Sequence, residues 1–105
     1  MNTAWLYLIT AGILEIGWAI GMKYTDGWTR LWPSLFTITL MCGSFTLLSL
    51  ALREIPISIG YAVWVGIGAV GVALIGMVFL GESVSAGKIA ALVAIVGGVV
   101  GLKLL

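Results

Sequence analysis

Apolar residues fall into four long blocks separated by three short polar interruptions. The first block runs from about Ala4 to Met22 and ends at Lys23-Tyr24-Thr25-Asp26-Gly27-Trp28-Thr29-Arg30, where Asp26-Gly27 reads as a turn. The second begins near Trp32-Pro33, because proline at a first helical position gives up no needed hydrogen bond, and extends to about Leu52. Arg53-Glu54-Ile55 closes it. Pro56 opens the third, which reaches about Leu80 before Gly81-Glu82-Ser83. In the fourth, Ser83 or Ser85 is the candidate cap, and Lys88 and Lys103 lie near the ends, where their alkyl stems let the ammonium groups snorkel to lipid headgroups. About 20 apolar residues at 1.5 Å each cross roughly 30 Å of hydrocarbon. The pattern therefore predicts four transmembrane helices over about 4–22, 32–52, 57–80 and 85–103. With loops this short, consecutive helices are antiparallel neighbours in one bundle, a single domain over 1–105 without a linker. No Lys or Arg precedes the first block and an acidic residue interrupts it, so it reads as a retained span and not as a signal peptide.

Composition narrows the class. Of 105 residues, 62% are hydrophobic and 9% charged, against about 25% charged in soluble domains. Mean hydropathy is +1.23. The expected fold class is an all-α integral membrane protein in a cell membrane. A net charge of +1 with no basic cluster excludes the electrostatic footprint of a nucleic-acid binder. Cys42 is the lone cysteine and histidine is absent, which removes an internal disulfide and a Cys/His metal site. Cys42 reads as a small packing residue. No metal, cofactor or enzymatic chemistry is expected.

Positive charge gives the chain little reason to prefer one orientation. Lys23, Arg30 and Lys88 fall on the side of the first and third loops; Arg53 and Lys103 fall on the other. Cytoplasmic loops normally carry the excess of Lys and Arg. A bias this small fits dual insertion, with copies of both orientations pairing as an antiparallel homodimer. It also fits a weak bias that still suffices, or a partner subunit that fixes orientation.

Glu15 is the candidate chemistry. A charge at the middle of a membrane helix costs about 3 kcal/mol on insertion scales. Withdrawal from water disfavours the ionised form, so this carboxylate can load and unload a proton, and when ionised it can hold a cation that makes up for lost solvent. Proton and cation then compete for one group, the minimum equipment of an exchanger. The plainer reading, a protonated glutamate bonding two helices together, is weaker, because serine or glutamine would do that at lower cost. Trp18 and Gly12 lie three positions to either side of Glu15 and so share its face. Trp18 suits both a recess wall, with its N–H donor and cation-attracting ring, and an interfacial anchor.

On the third helix Tyr61, Trp64, Gly68 and Gly71 form one stripe. Trp64 lies deeper than an aromatic belt, and Glu15 is the strong acceptor expected for its indole. Tyr61 fits a site or a belt equally. Gly66 and Gly68 allow helix 3 to flex or to pack closely. Ser44, mid-way along helix 2, can donate to Glu15 or to its own helix backbone. Gly97 and Gly101 suit a dimer seam on helix 4, which lacks central polar groups. Four helices scarcely enclose a central carboxylate with a route to both sides, so the expected unit is at least a dimer. Two Glu15 side chains would then titrate as a coupled pair.

Taken together, Gly12-Ile13-Leu14-Glu15, Gly27-Trp28-Thr29-Arg30-Leu31-Trp32-Pro33-Ser34 and Tyr61-Ala62-Val63-Trp64-Val65-Gly66-Ile67-Gly68 resemble the small multidrug resistance transporters, over nearly the whole chain. Trp18 and the ending Gly101-Leu102-Lys103 resemble the guanidinium exporter subgroup; exporters of polyaromatic drugs usually carry a small residue at the position of Trp18. The resemblance implies an antiparallel homodimer that exchanges protons for guanidinium by alternating access, both Glu15 carboxylates contacting the substrate. It also implies that Trp18, Ser44 and Trp64 orient the carboxylates and that Tyr61 takes part in switching. Ser58-Ile59-Gly60 departs from the usual pattern before Tyr61, and Gly60 is expected to loosen the helix there.

The resulting expectation is proton-coupled export of guanidinium, and of small substituted guanidinium ions, across a prokaryotic cytoplasmic membrane. Export of quaternary ammonium or polyaromatic cations is the nearest alternative. A proton-carrying structural membrane subunit, such as a rotor-ring proteolipid, is an alternative of another class, and an obligate half of a heteromeric exporter is a third.

Overall fold

The computed structural model describes residues 2–105. It contains four helices: α1 (Thr3–Tyr24), α2 (Leu31–Ala51), α3 (Ile57–Phe79) and α4 (Ala86–Leu104). Each is long and apolar enough to cross a membrane. At 1.5 Å per residue they measure about 28 to 35 Å, matching the hydrocarbon thickness.

Local chemistry sets the ends. Asn2 caps α1 by accepting from Trp5 N (3.1 Å), and Ser85, not Ser83, caps α4 by accepting from Lys88 N (3.2 Å). α2 begins at Leu31, so Pro33 falls at its third position; that nitrogen is among the four with no intrahelical acceptor, and the helix loses nothing. In the first loop, Asp26, Gly27 and Trp28 all take positive φ (50°, 68° and 71°). Buried Thr25 holds this reversal: its Oγ1 donates to Met22 O (2.9 Å) and accepts from Trp28 N (3.2 Å), while its carbonyl accepts from Thr29 N and Arg30 N.

α1 is the centre of the bundle, packed on α2 and α3, while α4 packs on α3 and reaches α1 through Lys103, whose Nζ lies 5.0 Å from the centre of the Trp5 ring. The result is a slab of 40 × 35 × 19 Å. Its apolar core lies at one end: Ala4, Leu8 and Ala11 from α1 meet Leu48, Ala51 and Ile55 from α2 and the loop after it, and Val63 and Trp64 from α3. Past Ala11 the helices bury mainly glycine and threonine, such as Gly21, Thr37 and Gly76. The bundle is thus tightly closed at the end of the second loop and looser toward the first and third. α4 buries no residue.

Candidate functional site

Glu15 sits where the tight end of the bundle gives way to the loose one. Its carboxylate lies over Gly68 of α3: a Cβ built at Gly68 would come within 2.9 Å of Glu15 Cγ and overlap the carboxylate itself. Gly12, one turn earlier, is buried against Ile67, and a Cβ there would meet Ile67 Cβ and Cγ2 at 2.8 Å. Two glycines on facing helices therefore make the space, one bringing α3 close and the other leaving room for the acid. Glu15 Oε1 is buried with no hydrogen-bond partner among the described residues, and so is Trp18 Nε1. One turn of one helix thus carries an unpaired acceptor and an unpaired donor. Leaving such a group unpaired typically costs about 1–3 kcal/mol, more when it is charged.

Around them the rings of Trp18, Phe45, Tyr61 and Trp64 form a connected cluster. Trp18 meets Phe45 edge-on at 5.9 Å and Trp64 at 6.5 Å; Phe45 lies 5.8 Å and Tyr61 5.6 Å from Trp64. Trp64 is buried at 6% exposure, whereas Tyr61, at 55%, is the outer member. Phe45 was not anticipated from the sequence. Its signal was its place directly after Ser44, about 100° around α2, where a large ring reaches Trp18 and Trp64 from the flank.

The indole of Trp64 does not donate to Glu15 as expected. It donates to Ser44 Oγ (3.0 Å), and Ser44 Oγ donates to Ala11 O (2.7 Å), across to α1 and not within its own helix. A hydroxyl has one proton and two lone pairs. Once that proton faces the Ala11 carbonyl, the lone pairs turn to the indole. Ser44 is fully buried, and through these two bonds it ties α1, α2 and α3 together just above Glu15.

The helix-3 glycines are contact points in an unbroken helix. Gly66 faces Val99 of α4, where a Cβ would come to 2.5 Å of Val99 Cγ2, and Gly68 faces Glu15. Gly60 is buried against Leu52, and a Cβ there would lie 2.5 Å from Leu52 Cδ2. Gly60 therefore lets α3 pack onto the end of α2. Gly97 and Gly101 are apart from the site, on a face of α4 where nothing lies within 4 Å of a built Cβ.

A recess of about 330 Å³ runs from Glu15 along α3, with Gly68, Ala69 and Val72 in its wall. Its scale suits a small organic ion, and its lining is apolar apart from two acids, Glu15 and Glu82. No covalent step is written into such a site; it can bind a cation and release it when the carboxylate is protonated.

The sequence is similar to those of known proteins. The family model of the Small Multidrug Resistance protein matches residues 3–95. A guanidinium exporter of Citrobacter freundii is 52% identical over 101 residues, covering 96% of each chain. One of Escherichia coli (strain K12) is 50% identical over the same length and shares. With four membrane-spanning helices and a family match over most of its length, the chain is a multi-pass membrane protein and belongs to the Small Multidrug Resistance family of transporters.

Proposed function

We propose that this chain exports guanidinium, taking the activity that the names of its half-identical relatives state and deriving its mechanism from the Glu15 site. The observation that carries the reading is Glu15 Oε1, a buried acceptor without a partner, while the equally unbonded Nε1–H of Trp18, three residues on, is a donor that a carboxylate and not the cation can accept. A planar cation with N–H groups on every edge satisfies a carboxylate through paired oxygens, as an ammonium with one point of charge does not. The aromatic cluster beside it offers ring faces to the same cation.

Ionised Glu15 binds the cation on the cytoplasmic side, the protein reorients, and a proton from outside displaces the cargo. Net transport requires that occupancy govern reorientation, since a ligand with equal affinity for both states shifts nothing. Two copies in opposite orientations would supply two such carboxylates and identical half-sites for the two sides of the membrane. Larger polyaromatic cargo fits less well in a recess of about 330 Å³, and Trp18 next to Glu15 on α1 is a bulky ring packed on Phe45.

The test is guanidinium binding, read by tryptophan fluorescence across pH, and guanidinium flux into proteoliposomes driven by a proton gradient. Binding is expected to weaken as pH falls, because protons compete for Glu15, and to vanish in Glu15→Gln. Binding that ignores pH, or survives that substitution, would overturn the reading.

A further inference from the structure

Beyond the central site, the third loop returns a second carboxylate to the same recess. Gly81, at φ 73°, reverses the chain after α3, and Glu82 N closes the turn on Gly76 O (3.1 Å). The reversal folds Glu82 back onto the helix it has just left. Its carboxylate rests on Gly76: a Cβ there would come within 2.8 Å of Glu82 Cδ and 3.1 Å of Oε2. Gly68 seats Glu15 in the same manner, eight residues earlier on α3. Eight residues of helix span about 12 Å. Between the two acids the recess of about 330 Å³ is walled by Val65, Gly68, Val72 and Ala73, with Glu15 at one end and Glu82 at the other.

The helix on which this carboxylate rests does not account for a negative charge in that place. The carboxyl end of a helix carries partial negative charge and favours cations, so Glu82 sits at the wrong pole of α3. Lys88 shares a neighbouring recess with Glu82, yet its Nζ donates to Ser83 Oγ (2.6 Å) and Ser83 O (3.1 Å). No ion pair or hydrogen bond takes up the Glu82 carboxylate among the described residues. It is exposed and lies in the same open groove of small apolar side chains as Glu15, the other acid in the recess.

The geometry points to Glu82 as a staging site for the transported cation, a carboxylate that takes a guanidinium-type ion at the membrane surface and passes it along the α3 groove to and from Glu15. This rests on the reading of Glu15 as the cargo site. A cation entering an apolar groove must shed water, and a carboxylate at the entrance replaces part of that shell while raising the local cation concentration. Such a site lowers the barrier to entry and exit alike. It changes rates and leaves the affinity at Glu15 nearly unaltered.

The experiment is stopped-flow tryptophan fluorescence of the full-length protein with guanidinium chloride at low and high ionic strength, alongside equilibrium titrations. Glu82→Gln is expected to lower the association and dissociation rates about three- to tenfold, to flatten the salt dependence of association, and to change the equilibrium constant less than twofold. Glu82→Asp is expected to recover part of the rate. Gly76→Ala keeps the charge but pushes the carboxylate off its seat, and it is expected to slow association as well. Glu54→Gln, which removes one exposed acid from the second loop, is expected to leave the rates alone. Wild-type rates and salt dependence in Glu82→Gln, or equal slowing by Glu54→Gln, would overturn the staging site while the Glu15 reading stood. A wild-type protein that does not respond to guanidinium, or a response that persists in Glu15→Gln, would overturn both.

Discussion

At the scale of single residues, the folded chain separates groups that hold the structure from groups held in readiness. Ser44 belongs to the first kind, since Ser44→Ala would strip the Trp64 indole of its acceptor and remove the bond to Ala11. Leaving one buried donor unpaired costs about 1–3 kcal/mol, so this variant is expected to unfold earlier in a detergent denaturation series. Trp18 is of the second kind. Its buried Nε1 has no partner, so Trp18→Phe removes a donor the fold does not use while keeping an aromatic ring. Stability is expected to hold or to rise slightly. Guanidinium affinity, measured by isothermal titration, is expected to fall severalfold. If stability fell and affinity did not, the indole would be a packing element. Sequence made Glu15, Trp18 and Trp64 legible because polar or amphipathic groups deep in apolar blocks stand out against their background. It did not assign the Trp64 hydrogen bond. Spacing reports which residues share a helical face, whereas partner choice depends on how closely neighbouring helices approach, and here Ser44 is the nearer acceptor.

At the scale of elements, glycines decide where helices meet. Gly12→Ala would drive a Cβ to 2.8 Å from Ile67 Cβ, a branched atom tied directly to the α3 backbone, which has little freedom to give way. The expected result is overpacking between α1 and α3, about 1–3 kcal/mol of lost stability. Gly68→Ala differs in kind, because its obstacle is the end of the Glu15 side chain, which can swing aside. Its expected phenotype is a folded protein that has lost guanidinium binding, checked by thermal denaturation beside fluorescence titration. Helix positions were readable from hydrophobic block length alone. Whether Gly60, Gly66 and Gly68 flex or pack was not, because a missing side chain looks the same in sequence whether it leaves a hinge or admits a neighbour. Leu52, Val99 and Glu15 are those neighbours, and each comes from a different part of the chain.

At the scale of the whole molecule, α4 has apolar faces that no other part of the protomer covers, with Gly97 and Gly101 open on one of them. Lipid can cover such a face, as can a second copy, whose helix would approach closely over the glycines. A Cβ at either position meets nothing within 4 Å, so loss of crosslinked dimer on placing leucine at both, with the fold retained, would assign this face to assembly. Orientation supplies the companion test. Three positive residues lie on the side of the first and third loops and two on the other, a difference small enough for both insertions to occur. Leu104 and Leu105 are exposed by 80% and 100%, and lysine at both would reverse the majority to four against three. Val84, 62% exposed, replaced by lysine together with Arg53→Gln would instead give four against one. If the working unit pairs opposite orientations, each variant expressed alone is expected to insert one way and to lose guanidinium flux. Expressed together they are expected to recover it, each supplying the orientation the other lacks. Terminal tags probed from one side of the membrane give the orientation, and proteoliposome flux gives the activity. Full flux from either variant alone, once tags show a single orientation, would mean that two parallel copies or one copy suffices.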